Sequence, residues 1–310
     1  MSGTGTAPQS RAAVSARANP VLVLWRFSRP HTVIGTALSV LGLWAIAATT
    51  LDVAPPVWDL VATLVAGLAV NVAIVGVNQL TDVEIDRVNK PFLPIAAGEL
   101  SLRAATVIVV VCSVLPLGMA LTQGAVETGA VAAGLAVGAL YSLPPFRLKR
   151  YPVAASLCIS GVRSVVVNLG VYWHFAGRID PPVVALCLFV LPFSLAIAIL
   201  KDVPDLEGDR RYSIRTFTVR LGPERVFRAG LAALFIAYAG MIVVAPPLLT
   251  EYANPFVLAL GHALAAGLLL HWARAANPSC HTEFTRFYMR VWMLFFLEYL
   301  LVPAACLANW

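Results

Sequence analysis

The chain has 310 residues, of which 59% are hydrophobic and 12% charged, with a formal net charge of +6. One water-soluble core could not cover so much apolar surface, and the apolar runs approach bilayer length, so a soluble globular domain is excluded and an all-α polytopic membrane protein is expected. Cys112, Cys158, Cys187, Cys280 and Cys306 are odd in number and lack metal-ligand spacing, so they read as small core residues, not as a disulfide framework or a metal site.

The chain opens with MSGTGTAPQSRAAVSARANP, which has no acid and no apolar core; this excludes a secretory signal and leaves a transit-like segment as the alternative to a plain tail. Residues 1–22 read as a disordered cytoplasmic tail and residues 23–310 as one nine-helix transmembrane domain. The expected spans are 31–50, 57–80, 104–122, 125–142, 153–174, 181–200, 227–246, 253–273 and 287–306. Twenty of the 22 Lys and Arg residues fall in the tail or around the segments after spans two, four, six and eight, while Arg178 lies in an outer loop and Arg163 inside span five. Short positive loops stay cytoplasmic, so the N-terminus is expected inside. The net charge then reflects topology and anionic lipid heads, and no nucleic-acid partner is expected.

Span two ends in NQLTDVEIDRVNKPFLP, residues 78–94. A helix continued through it sets Asn78, Asp82 and Asp86 at i, i+4 and i+8 on one face. Span four ends in YSLPPFRLKR, which carries Tyr141, Arg147, Lys149 and Arg150. Span six ends in KDVPDLEGDRR, with Asp202, Asp205 and Asp209 at similar steps, although Pro204 and Gly208 argue against an unbroken helix there. Asp82 and Asp205, Asp86 and Asp209, and Arg87 and Arg210 are each 123 residues apart, a spacing consistent with internal duplication. Spans two and six both run outside to inside, so both acidic stretches reach the same cytoplasmic face.

Seven of the sixteen acids sit in these two stretches. Converging carboxylates repel one another unless divalent cations neutralise them, and an all-oxygen set suits Mg²⁺, which completes its shell with phosphate oxygens and water. The alternative is two solvated loops that happen to be acidic. Against nineteen arginines the chain has three lysines, Lys90, Lys149 and Lys201, each beside one of these loops. An ammonium binds phosphate as a compact point charge, so the three are candidate diphosphate contacts. A diphosphate head over an apolar bundle points to an isoprenyl diphosphate. Cations would stabilise the leaving diphosphate, and a dry cavity would shield the allylic cation. Aromatic faces available to that cation are Tyr141, Tyr172, Trp173 and Phe193.

Three further features are open to two readings. Arg163, alone inside a span, faces the cavity to hold an acceptor carboxylate or the diphosphate with Asn168 nearby, or it hydrogen-bonds backbone carbonyls. Arg29, in FSRPHTV at the mouth of span one, is a substrate contact or a snorkelling helix-end residue. Glu298 has no basic neighbour in its span and reads as neutral and hydrogen-bonded, while His31, His174, His262, His271 and His281 read as interfacial.

On the Asn-x3-Asp-x3-Asp pattern of Asn78, Asp82 and Asp86 and the second motif of Asp202, Asp205 and Asp209, the chain resembles the UbiA superfamily of intramembrane prenyltransferases. It looks most like the homogentisate prenyltransferase branch, through NQLTDVEIDRVNKPFLPIAAGELS, VVVNLGVYWHF and KDVPDLEGDRRYSIRTFTVRLG. The resemblance implies nine helices around a central cavity with cytoplasmic cap loops. It also implies two Mg²⁺ ions held by Asn78, Asp82, Asp86, Asp205 and Asp209 with Asp202 in support, and a Tyr141–Lys149 pair after span four. The implied reaction moves an isoprenyl group from its diphosphate to a phenolic acceptor such as homogentisate or 4-hydroxybenzoate. The competing readings are an intramembrane terpene cyclase with the same motifs and a cation-coupled transporter; acids at span ends, away from the midplane, argue against transport. Few lysines among abundant Ala, Val and Arg look bacterial, so a plasma membrane with a cytoplasmic active site is expected. The oligomeric state is not legible.

Overall fold

Proline opens five of the nine long helices, since its fixed φ suits the first helical position, where a backbone N–H has no partner to lose. The computed structural model describes residues 19–212 and 214–309. Helix α1 (Pro20–Phe27) is capped by Asn19, whose side chain accepts from the Val21 N–H. It is followed by α2 (Pro30–Thr50), α3 (Val57–Thr81), α4 (Val83–Asn89), α5 (Leu102–Gln123) and α6 (Ala125–Ser142). Next come α7 (Pro152–Ala176), α8 (Pro181–Leu200), the short α9 (Leu206–Arg211) and α10 (Phe217–Leu221), then α11 (Pro223–Leu248), α12 (Pro255–Arg274) and α13 (His281–Leu307).

Among the described residues there is no strand, and nine helices are long and apolar enough to cross a membrane: α2, α3, α5, α6, α7, α8, α11, α12 and α13. All nine expected spans are present. The largest boundary difference is in α13, which starts at His281 instead of 287 because its polar first turns are helical too. Residues 20–22, assigned above to the tail, open α1; residues 1–18 lie outside the described residues.

Helices α2, α3, α6, α7, α8 and α13 surround a cavity of about 1170 Å³. Helix α5 packs outside α3 and α6, and α11 and α12 pack outside α8 and α13. Small residues let the ring close tightly: a Cβ on Gly138 of α6 would lie 2.6 Å from Ile74 of α3. Helix α7 winds into a π turn at Val162–Val167, an insertion that re-aims side chains and is common at functional sites; Arg163 lies on it.

Behind α8 an aromatic core joins α8, α11, α12 and α13. Phe193 belongs here, stacked 5.2 Å from Phe189 and fully buried, and it does not line the cavity. His262 is also fully buried rather than interfacial: its ring bonds Leu258 O at 2.6 Å and Glu298 Oε2 at 3.0 Å. Glu298 thus gains from the adjacent span the basic partner that its own span lacks. Tyr172 is likewise away from the cation path, since its hydroxyl donates to Asp180 at 2.6 Å and lies 2.8 Å from the Thr50 hydroxyl; Trp173 is exposed.

Candidate active site

The two acidic stretches have parallel local structure. Helix α3 stops at Thr81, and Asp82 (φ −120°, ψ 19°) stands between it and α4, so the expected unbroken helix is interrupted by one residue. The alignment survives, because the Asp86 N–H still donates to Asp82 O at 2.8 Å and the Asn78 amide donates to Asp82 Oδ2 at 3.2 Å. After α8 the chain turns through residues 201–205, and Asp205 precedes α9 as Asp82 precedes α4, with the Asp209 N–H donating to Asp205 O at 3.0 Å. Asp86 and Asp209 are the equivalent buried carboxylates one turn on.

The stretches meet at one rim of the cavity. Lys90, after α4, forms an ion pair with Asp205. Asn89 donates to Asp209 Oδ1 at 3.5 Å and accepts from the Gly208 N–H at 3.0 Å; any side chain at position 208 would collide with it. The loop after α6 adds a third side: Lys149 reaches Asp82 Oδ2 at 2.7 Å and the Thr81 hydroxyl at 2.8 Å, while Arg147 donates to Asp82 Oδ1 and Thr81 O, both at 3.1 Å. Tyr141 is paired with Lys201 at 3.0 Å instead of the expected Lys149, and Lys201 also lies 3.3 Å from Asp202. Arg29 donates to Asn78 Oδ1 at 3.3 Å, and Arg150 lines the same rim.

Burial dominates the electrostatics. It pushes Asp86 up to about 6 against the pull of Arg29 and Lys90, and with help from Asp202 and Asp205 it pushes Asp209 up to about 7. Burial also lowers Lys149, which its contact with Asp82 only partly restores. For Lys201, burial is outweighed by Asp202 and Tyr141, which hold the ammonium well above the ordinary lysine range.

No group of three His, Cys, Asp or Glu side chains among the described residues is gathered closely enough to hold a metal alone. The residues nevertheless fit Mg²⁺, which binds through one or two carboxylates plus substrate phosphates and rarely in an all-protein cage. Asp82, Asp86, Asp202, Asp205 and Asp209 offer only oxygen to one cavity, and Asp86 Oδ2 is buried without a hydrogen-bond partner.

Below the rim the cavity is mainly apolar, with Thr36, Ser39, Asn71, Thr63, Glu127 and Arg163 as its polar side chains. Arg163 has no backbone carbonyl partner; its guanidinium lies 4.8 Å from the Trp292 ring and 5.3 Å from Phe295, with Nη1 buried and unpaired. Asn168 is not beside it in the cavity wall: its side-chain oxygen accepts from the Tyr299 hydroxyl at 2.8 Å, which removes it as an acceptor contact. Besides Tyr141, and Phe92 and Tyr212 of the loops, the cavity aromatics are Tyr288, Trp292 and Phe295 of α13. Their i, i+4, i+7 spacing was the available signal; likewise Asn89, three residues beyond Asp86, extends the polar face of α4.

An ionic rim built from two span ends over a largely apolar cavity is the arrangement of an intramembrane enzyme acting on an amphiphile with an anionic head. The chain belongs to the UbiA prenyltransferase family, whose model matches residues 36–295. It is 42% identical over 302 residues to a homogentisate phytyltransferase of Synechocystis sp., spanning 92% of this chain and 96% of that protein. It is 38% identical over 296 residues to the chloroplastic homogentisate phytyltransferase 1 of Arabidopsis thaliana, spanning 90% and 74%. Its fold matches a UbiA homolog from Archaeoglobus fulgidus bound to GPP and Mg²⁺ with a TM-score of 0.65 at 18% identity, covering 91% of this chain and 99% of that one.

Proposed function

We propose that the chain transfers an isoprenyl group from an allylic diphosphate to a homogentisate-like phenol, with the rim on the cytoplasmic side of a bacterial plasma membrane. The observation that carries this reading is the junction of two acidic stretches from separate spans, through Lys90–Asp205 and Asn89–Asp209, over one apolar cavity. The names of the relatives support the acceptor class.

Asn78, Asp82, Asp86, Asp205 and Asp209, with Asp202, would hold two Mg²⁺ ions. When bound, these supply charge neutralisation on the diphosphate. Lys90, Lys149, Lys201 and Arg150 reach phosphate oxygens at the rim and stabilise the charge that builds as the allylic C–O bond breaks and its electron pair leaves with the diphosphate. Tyr141, bonded to Lys201, turns its ring toward the allylic carbon. Arg163 and Arg29 hold the acceptor carboxylate, placing an electron-rich ring carbon to form the new C–C bond. The ring then gives the proton of the substituted carbon to the departed diphosphate or to one of the rim aspartates, which restores aromaticity. The dry wall of Val, Ile and Gly side chains keeps water from the cation.

The deciding measurement is diphosphate release by purified protein with Mg²⁺ and geranylgeranyl or phytyl diphosphate. Release that requires homogentisate and yields a prenylated phenol is expected. Release without a phenol, giving a cyclic hydrocarbon, would instead indicate a cyclase, and no release with any donor would point to transport.

A further inference from the structure

The cavity does not end in hydrocarbon. Its far wall is closed by Glu127, in the first turn of α6, and by Thr63 of α3, with Gln123 at the end of α5 behind them. Glu127 is 2% exposed and Thr63 1%. Thr63 donates to Gln123 Oε1 at 3.3 Å, and the Glu127 carboxyl faces the Thr63 hydroxyl. Glu127 Oε2 and Gln123 Nε2 are both buried without hydrogen-bond partners. The other acids lining the cavity all belong to the two rim stretches, so the rim chemistry does not account for this carboxyl.

Its distance from the rim carries the argument. Glu127 and Tyr141 lie on one helix, fourteen residues apart, which is about 21 Å at the helical rise. Tyr141 is bonded to Lys201 at the rim. An isoprenoid tail of about twenty carbons has about sixteen in line and, at roughly 1.25 Å advance per bond, extends about 20 Å. Between these levels Gly67, Val70, Val131 and Gly134 line a mainly apolar slot, to which Thr36 adds a hydroxyl and Asn71 an amide that donates to Ser28 O at 3.4 Å. Hydrocarbon pressed onto a carboxyl with one unpaired oxygen leaves that oxygen without a polar contact, which is unfavourable whether the group is charged or neutral.

Resting on the isoprenyl-transfer reading above, we infer that Glu127 and Thr63 form a polar floor that sets donor length, accepting a tail of about twenty carbons and refusing longer ones. The test uses the full chain in lipid nanodiscs with Mg²⁺, homogentisate and competing geranylgeranyl and solanesyl diphosphates. Wild-type protein should make almost only the shorter product, and Glu127→Leu should raise the ratio of long to short product about tenfold or more. Thr63→Val should move it in the same direction by less, and Glu127→Gln, which keeps a polar floor, should leave it near wild type. An unchanged ratio in Glu127→Leu and Thr63→Val, with transfer of the shorter tail retained, overturns the inference. A second readout needs no transfer: a geranylgeranyl diphosphate analogue with a diazirine at its far end, photolysed on the wild-type protein, should label Glu127 or its neighbours in residues 63–67 and 127–134. Labelling elsewhere overturns the floor, whereas correct labelling without any transfer would sink only the activity reading.

Discussion

Asp82 and Asp205 occupy the same position in two similar stretches, yet their surroundings differ. Asp82 receives Arg147 and Lys149 from the loop after α6, whereas Asp205 receives Lys90 from the first stretch itself. The first stretch is a near-continuation of α3; the second is a turn followed by six helical residues, pressed so closely on Asn89 that only glycine fits at 208. A repeated ligand pattern therefore does not produce two equivalent halves. The first stretch is clamped by a third loop, and the second is docked onto the first.

The largest effect tests what the halves share. Asp82→Ala or Asp205→Ala should each lower turnover by about a thousandfold while the thermal unfolding midpoint stays near wild type, since each site lies at the rim and not in the core. A near-normal rate in one variant alone would make that half dispensable. Arg163→Leu, outside both halves, is the control: it should raise KM for the phenol about thirtyfold, as expected for losing a charge-assisted hydrogen bond, and leave KM for the donor unchanged. The docking contact should show coupling. Gly208→Ala should cost about tenfold in kcat/KM, and less than that in an Asn89→Ala background, where the obstructing side chain is gone. The smallest effect is on pH. Asp86 and Asp209 hold protons up to about 6 and about 7, so Mg²⁺ must displace them; its apparent affinity, followed by calorimetry, should weaken about three- to tenfold per unit as pH falls from about 7.5 to 6. The metal-free fold should behave oppositely: it binds these protons more tightly than the unfolded chain, so its stability declines as pH rises from about 4 to about 7 and levels off above.

The spans were legible because bilayer length and loop charge are both written in the composition, and all nine lie where hydropathy placed them. The rim was legible in its acids and lysines because charged residues at the ends of apolar runs stand out. Pairing was harder to read. That Tyr141 would choose Lys201 over Lys149 depends on how the loop after α6 folds back, which no spacing within YSLPPFRLKR encodes. Arg163 was recognisable as exceptional, but its partners, Trp292 and Phe295, are two among many aromatics of α13. Closeness in sequence does not make Asn168 a neighbour of Arg163 in the cavity wall: Arg163 lines the cavity, whereas Asn168 is engaged by the Tyr299 hydroxyl. Glu127 went unremarked because one acid at the start of a helix looks like ordinary complementing of the helix dipole.

The pairing of Lys90 with Asp205, Lys149 with Asp82 and Lys201 with Asp202 bears on the sequence of loading. Each pair keeps a carboxylate occupied, so a bare cation arriving alone must displace ammonium groups without offering them a new partner. A magnesium–diphosphate chelate brings its own anionic oxygens and can take each lysine as it takes the aspartate that the lysine leaves. On the proposed reading, such a mouth would take up the ion together with the substrate, by partner exchange, and would hold it poorly between turnovers.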